Sequence, residues 1–233
     1  MRRTERPLVF LLHGIGRTPL DMWPMARGLA REGFAVVNWG YPSRRSSIAD
    51  LASMLAAQVA SYDAPVYHFV GHSMGGIILR KYLAEQPPAR VGRLVMIGSP
   101  NQGSKVAEFF GEWWLFRKIF GPAGQELRCG SPGICSTIGI PKCEFGIIAG
   151  GLGNRWGMNP LLGSDNDGTV TVEETLLEGA CDFLLLPYPH PIIQAFPRTV
   201  RNTLHFLRHG RFAESSATAP RSAAAASIPT DRA

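Results

Sequence analysis

The sequence lacks any apolar run of about 18 to 20 residues, the length that a membrane-spanning helix needs. Arg2 and Arg3 precede an apolar run at residues 8–12, in an arrangement that imitates a signal peptide. That run is too short, and no small-residue cleavage site follows it. We therefore expect a cytoplasmic protein without membrane spans.

Acidic residues are outnumbered by basic ones, with 18 Asp and Glu against 24 Lys and Arg and a formal net charge of +6. Much of the basic excess lies near the two ends of the chain, and no central Lys/Arg run is interleaved with aromatic residues. A nucleic-acid-binding groove needs such a run, so no nucleic-acid partner is expected. A weak contact with anionic membrane surfaces stays open, although solubility explains the charge equally well.

Patterns for metals and nucleotides are also missing. No Cys-x-x-Cys pair occurs, so zinc is not expected, and the cysteines are interpreted as reduced thiols or as one bridge within residues 129–143: Cys129, Cys135, Cys143 and Cys181. His205 and His209 are four residues apart, but the His-Glu-x-x-His pattern is absent. Gly150–Gly153 lacks the third glycine and the acidic residue of a dinucleotide site. We predict neither a metal nor a cofactor.

Predicted strands alternate with predicted helices over the first hundred residues. Short apolar runs bounded by turn residues predict buried strands at 7–12, 34–38, 66–70, 94–98, 145–149 and 183–186. Helical periodicity predicts helices near residues 18–31, 48–59, 77–85 and 197–209. This order predicts an α/β fold, with a mostly parallel open sheet and helices on both faces.

The organisation predicted from composition is one domain over residues 1–212 and a disordered Ala/Ser-rich tail over 213–233. Residues 101–144 form a small cap or pocket segment, too short for a large lid domain. Its aromatic side chains are candidates for an acyl-binding site: Phe109, Trp113 and Trp114. Packing against the sheet, a mobile cap and contact with a membrane surface are the alternatives for this segment.

The sharpest motif is Gly71-His72-Ser73-Met74-Gly75, which matches G-x-S-x-G. It directly follows a predicted strand and precedes a predicted helix, as a nucleophile elbow requires. Gly71 and Gly75, two residues before and after Ser73, permit the sharp turn that exposes its hydroxyl, and the N-terminus of the following helix favours developing negative charge. Ser73 is therefore the candidate nucleophile.

A second glycine-flanked segment, His13-Gly14-Ile15-Gly16, follows the first predicted strand. An acyl-transfer site needs two N–H donors aimed at the oxyanion. We predict that these come from Ile15 and Met74. His13 is expected to brace the loop rather than to act as an acid or base.

The remaining candidates follow from the order Ser, acid, His that this motif takes in α/β-hydrolases. Asp167, in a polar loop before a β-branched run, is the predicted acid, with Asp165 and then Asp182 as weaker alternatives. His190 follows the last predicted strand and is the predicted general base, whereas His205 and His209 fall in the final helix.

Together, HGIG, GHSMGG, SPNQGS at 99–104 and NDGTV resemble motifs of small bacterial lipases and esterases of the α/β-hydrolase superfamily. The resemblance covers roughly residues 7–210. It implies an α/β-hydrolase fold, Ser73, Asp167 and His190 as catalytic residues, and Ile15 and Met74 as oxyanion donors. The chain begins at the first buried strand, so the leading antiparallel strands of larger members are not expected.

The function predicted from these features is hydrolysis of a small-molecule carboxylic ester through an acyl-enzyme on Ser73. Acyl transfer or thioester cleavage by the same residues is the alternative. A non-catalytic interaction module is a third hypothesis, and the complete set of candidate catalytic residues argues against it.

Overall fold

A parallel β-sheet lies at the centre of the computed structural model, which describes residues 1–110, 121–128 and 133–214. Its strands are β2 (Leu8–Leu12), β3 (Ala35–Trp39), β5 (Tyr67–His72), β6 (Val91–Ile97), β7 (Phe145–Gly150) and β8 (Asp182–Leu186). Strands β1 (Arg2–Arg3) and β4 (Tyr62–Asp63) form a small second sheet. The main sheet has the order β3-β2-β5-β6-β7-β8, and every neighbouring pair is parallel. The predicted α/β fold class is confirmed.

The helices connect these strands and cover the sheet. In the described residues they are α1 (Trp23–Arg31), α2 (Ile48–Ala60), α3 (Met74–Glu85), α4 (Lys105–Phe110), α5 (Ile134–Thr137), α6 (Val172–Thr175) and α7 (Pro197–His209), and residues 121–126 are helical as well. Apolar residues of α2 and α3 pack on one face of the sheet, and those of α1 and α7 pack on the other. No large lid domain is present in the part of the chain described here.

Strand β2 shows why the sheet is buried on both faces. Its five residues are all apolar and all buried. Leu8, Phe10 and Leu12 belong to the core on the α2/α3 side, while Val9 and Leu11 belong to the core on the α1/α7 side. Successive side chains of a strand point to opposite faces of the sheet. When helices cover both faces, every residue of the strand is therefore buried and apolar.

The chain changes direction across the sheet between β2 and β5. From β2 it passes to the edge strand β3, and it then returns to the other side of β2 as β5. Loops after β2 and β5 therefore diverge at the carboxyl edge and leave a crevice there, the usual ligand position in open α/β sheets. Ser73 follows β5 and His13 follows β2, so both candidate loops lie at this crevice.

Some element boundaries differ from those predicted. The helix after Ser73 begins at Met74, not at Ile77. A 3₁₀ turn at Pro19–Met22 precedes α1, with the Asp21 carboxylate accepting the Thr18 N–H at 3.0 Å. The pairing of β1 with β4 was not predicted, because two residues are too few to show a hydrophobic period.

Three features bear on cysteines, metals and membranes. Cys143 and Cys181 make no disulfide, the Cys135 thiol donates to the Pro100 carbonyl at 3.3 Å, and Cys129 lies outside the described residues. Within the described ranges, no group of three or more His, Cys, Asp or Glu side chains could hold a metal ion. None of the described helices combines the length and apolar character needed to span a bilayer.

The carboxyl end of the described chain is tied to α7. Glu214 pairs with Arg198 and Arg201, and its N–H donates to Oδ1 of the buried Asn202 at 3.1 Å. Asn202 also donates its amide to the Glu214 carboxylate at 3.0 Å. Glu214, which lies within the predicted tail at 213–233, is therefore hydrogen-bonded to α7, and residues 215–233 lie outside the described chain.

Truncation tests where the domain ends. A chain that stops after Glu214 should keep the free energy of unfolding of the full chain. A chain that stops after Phe212 should lose about 1–3 kcal/mol, because the buried Asn202 oxygen loses its donor. Urea unfolding of both chains measures the difference, and equal midpoints would contradict the role of Glu214.

Candidate active site

Ser73 lies in a sharp turn between β5 and α3. Its backbone has φ 55° and ψ −127°, and it is the one non-glycine residue with positive φ in the described chain. A conformation of this kind costs about 1–3 kcal/mol and persists only where the surroundings enforce it. Here the Ser73 N–H donates to the Ile97 carbonyl at 2.8 Å, which ties the turn to β6.

The glycines of the motif are required by contact distances. A Cβ on Gly71 would lie 2.5 Å from the Gly76 nitrogen, and a Cβ on Gly75 would lie 2.5 Å from the Leu12 carbonyl oxygen. Both neighbours are backbone atoms that cannot rotate away. The elbow therefore packs directly against the end of β2, which brings Ser73 beside the loop at 13–16.

A chain of hydrogen bonds joins Ser73, His190 and Asp167. Ser73 Oγ lies 3.1 Å from His190 Nε2, and His190 Nδ1 lies 2.7 Å from Asp167 Oδ2. A carboxylate oxygen accepts hydrogen bonds, so this arrangement has Nδ1–H donating to Asp167 and leaves the Nε2 lone pair facing the serine hydroxyl. The structure thus brings the three predicted residues together in the order of the prediction.

Asp167 is held by its own loop. Its Oδ1 accepts the N–H groups of Thr169 at 3.0 Å and Val170 at 2.8 Å, and the side chain is almost fully buried. Its backbone carbonyl accepts the His190 N–H at 2.9 Å. Both carboxylate oxygens are therefore occupied, one by the loop and one by the imidazole, which fixes the orientation of the pair.

His72 supports His190 from the other side. A carbonyl oxygen can only accept, so the His72 Nε2–H donates to the His190 carbonyl, at 3.0 Å. Burial is the main cause that holds the pKa of His72 well below 6.5, and the nearby His190 ring adds to it. His72 is therefore neutral. Its supporting role was not predicted, because it occupies an unspecified position of the G-x-S-x-G motif.

An apolar pocket of about 100 Å³ opens beside Ser73. It is lined by residues from the loop after β2, the segments at 100–107 and 124–127, and the Asp167 loop: Ile15, Ser73, Pro100, Ser104, Val106, Ala107, Gly124, Leu127, Thr169 and Val170. Met74 is the first residue of α3, so its N–H points out of the helix start. Phe109 is 73% exposed, and Trp113 and Trp114 lie outside the described residues.

A family profile described as "alpha/beta hydrolase fold" matches residues 7–120, the range that contains the elbow and the loop after β2. The chain has the α/β-hydrolase fold that this profile describes. No curated protein sequence matches it.

Solved structures agree with this fold. A lipase from Bacillus licheniformis is 20% identical, with a TM-score of 0.67 over 91% of this chain and 95% of the lipase chain. A phospholipase from Legionella pneumophila is 16% identical, with a TM-score of 0.68 over 89% of this chain and 60% of its own. A metagenomic carboxyl esterase is 17% identical, with a TM-score of 0.60 over 89% and 75%. At these identities the likeness establishes the fold.

The alternative acids, Asp165 and Asp182, have other partners. Asp165 accepts the N–H groups of Leu152 and Gly153, both at 2.8 Å, and so holds the glycine-rich loop after β7. Asp182 begins β8 and accepts the Phe212 N–H at 2.7 Å. Neither carboxylate has a hydrogen bond to His190 among the described residues, whereas Asp167 has one.

The alternative histidines are remote from Ser73. His205 and His209 lie together on α7, with ring centroids 4.4 Å apart. His205 Nδ1 donates to the Arg211 carbonyl at 2.8 Å. That position is on the α1/α7 face and not at the carboxyl edge.

Buried histidines give a pH prediction. Burial lowers the pKa of His68 from 6.5 to about 4 and also lowers the pKa values of His13 and His72. The unfolded chain therefore binds more protons below pH 6.5, so stability falls as the pH drops below that value. Each such histidine contributes a slope of about 1.4 kcal/mol per pH unit.

His68 is the residue with which to test this slope, because it lies at the start of β5, away from the elbow. The free energy of unfolding of the wild type and of His68→Gln is measured with denaturant between pH 7 and pH 4.5. Plotted against pH, it should have a shallower slope for the variant, because unfolding of the variant takes up one proton fewer. Parallel curves would contradict the neutral, buried state of His68.

Proposed function

We propose that this protein is a serine hydrolase that cleaves small-molecule carboxylic esters through an acyl-enzyme on Ser73. The observation that carries the proposal is the hydrogen-bonded series Ser73–His190–Asp167 at an elbow with positive φ. Serine is a weak nucleophile by itself, and a hydrogen-bonded imidazole whose tautomer is fixed by a carboxylate activates it.

In the first half of the reaction, His190 Nε2 takes the hydroxyl proton while Ser73 Oγ forms a bond to the acyl carbon. The carbonyl oxygen then carries negative charge. His190 becomes an imidazolium, and its Nδ1 keeps its proton, which remains hydrogen-bonded to the Asp167 carboxylate. When the intermediate collapses, the carbon–oxygen bond to the alcohol breaks. The alcohol leaves with the proton from Nε2, and the acyl group remains on Ser73.

The second half repeats these steps with water. His190 removes a proton from water as the oxygen attacks the acyl carbon, and Ser73 Oγ leaves with the proton that His190 returns. In both halves the N–H groups of Ile15 and Met74 stabilise the oxyanion, and the N-terminus of α3 adds its dipole. The mechanism needs only groups of this chain and one water.

The pocket favours a short acyl chain. The pocket has a volume of about 100 Å³, and the side chains that line it include Ile15, Val106 and Leu127. Burying each methylene there contributes about 0.8 kcal/mol until the space is filled. The exposed Phe109, with Trp113 and Trp114, is proposed for the outer part of the acyl or alcohol site.

Ester hydrolysis is tested with p-nitrophenyl esters from acetyl to palmitoyl. The wild type should have its highest kcat/KM on the short chains, and Ser73→Ala should lose on the order of a millionfold in kcat. A preference for palmitoyl would contradict the small acyl pocket. Equal rates for the wild type and Ser73→Ala would contradict the mechanism, and product esters formed with added alcohols would indicate acyl transfer.

The role of Asp167 is tested with two amide variants on one loop. Asp167→Asn reverses the donor at His190 Nδ1, so the imidazole presents the wrong tautomer and kcat should fall by about 10⁴-fold. Asp165→Asn is the matched control and should stay within about tenfold of the wild type, since Asp165 holds a neighbouring loop. If Asp165→Asn has the larger effect, the assignment of the acid is wrong.

A further inference from the structure

The loop that carries the proposed oxyanion donor Ile15 is held by side chains at three successive peptide groups. The Tyr41 hydroxyl donates to the His13 carbonyl. His13 Nδ1–H donates to the Gly14 carbonyl at 2.8 Å, and the Gly16 N–H donates to Ser43 Oγ at 3.1 Å. We call His13, Tyr41 and Ser43 the loop clamp.

The central peptide group is the one that matters for the oxyanion. A trans peptide is planar, so its C=O and N–H point in opposite directions. The Gly14 carbonyl and the Ile15 N–H belong to the same peptide. Because His13 holds that carbonyl on one side, the Ile15 N–H must point to the other, and the Ile15 residue itself lines the pocket beside Ser73.

The outer peptide groups prevent the central one from rotating. Tyr41 holds the peptide before it and Ser43 holds the peptide after it. The His13 carbonyl also lies against the elbow, because a Cβ on Gly75 would be 2.7 Å from that oxygen. The loop therefore has fixed contacts both with the β3 side and with the first turn of α3.

The clamp is itself rigid and uncharged. The Tyr41 ring stacks on the His13 imidazole with centroids 4.2 Å apart and on Trp39 at 4.9 Å. Burial raises the pKa of Tyr41 and lowers that of His13, so both side chains stay neutral at pH 7. Tyr41 and Ser43 follow β3, and the edge strand thereby supports a loop of its neighbour β2.

We infer that His13, Tyr41 and Ser43 are positioning residues that hold the Ile15 N–H in the orientation that accepts the oxyanion before substrate binds. The inference rests on the proposed ester hydrolysis. It adds a specific consequence, because loss of the clamp weakens stabilisation of the transition state more than binding of the ester.

The test compares Tyr41→Phe and Ser43→Ala with matched controls. Tyr67→Phe removes a buried hydroxyl that donates to the Tyr62 carbonyl and accepts the Ala64 N–H. Tyr67 lies at the amino end of β5, away from the carboxyl edge that carries Ser73. Ser43→Thr keeps a hydroxyl in place of Ser43 Oγ. For each variant, kcat and KM are measured on p-nitrophenyl butyrate, together with the Ki of a trifluoromethyl ketone that forms a tetrahedral adduct.

Tyr41→Phe and Ser43→Ala should lose about tenfold or more in kcat and in affinity for the ketone, with KM changed less than threefold. Tyr67→Phe should lower the melting temperature without changing kcat, and Ser43→Thr should recover most of the rate. The inference is overturned if folded Tyr41→Phe and Ser43→Ala keep kcat and ketone affinity within twofold of the wild type.

The two proposals fail in different ways in this series. Loss of turnover in Ser73→Ala, with full turnover in both clamp variants, would leave the ester hydrolase standing and remove the clamp. Wild-type turnover that is no faster than Ser73→Ala would remove the proposed function, and with it the role of the clamp.

Discussion

The turn at Ser73 is the constraint on which the other parts of the site depend. Ser73 is held at φ 55° because the buried strand β5 ends at the residue before it and helix α3 begins at the residue after it. Only glycine fits at Gly71 and Gly75, where added side chains would meet backbone atoms at 2.5 Å. The strain is local, and the surrounding sheet and helix enforce it.

The parallel sheet supplies the rest of the site by position. Strands β2, β5, β7 and β8 all run in one direction, so the loops that follow them meet at the carboxyl edge. This places the Ile15 loop, Ser73, Asp167 and His190 together although they are separated by up to 175 residues in sequence. Burial then removes water from the Asp167–His190 pair, which strengthens its hydrogen bonds.

Much of this arrangement could be predicted from the sequence, because it follows from local patterns. The buried strands have unbroken apolar runs, and the G-x-S-x-G motif contains its own steric reason. The sequence favoured Asp167 over Asp165 but left both open, since both are followed by a residue that suits a turn. The structure separates them by partners: Asp165 binds Leu152 and Gly153, and Asp167 binds His190.

The supporting residues could not be predicted in this way. Tyr41 and Ser43 act across strands, through contacts with a loop about 27 residues earlier in the chain, and no sequence period connects them. The pairing of β1 with β4 and the anchoring of Glu214 are likewise long-range contacts of short segments. Such contacts depend on the folded positions of neighbouring elements and leave no local pattern.

The most direct test of the central claim is covalent labelling of the full chain with a fluorophosphonate, followed by intact-mass measurement and peptide mapping. The account predicts a mass increase of one probe on Ser73 in the wild type, none in Ser73→Ala, and slow labelling in His190→Ala, because the hydroxyl then lacks its base. Folded wild-type protein that stays unlabelled, or that is labelled at another residue, would contradict Ser73 as the nucleophile.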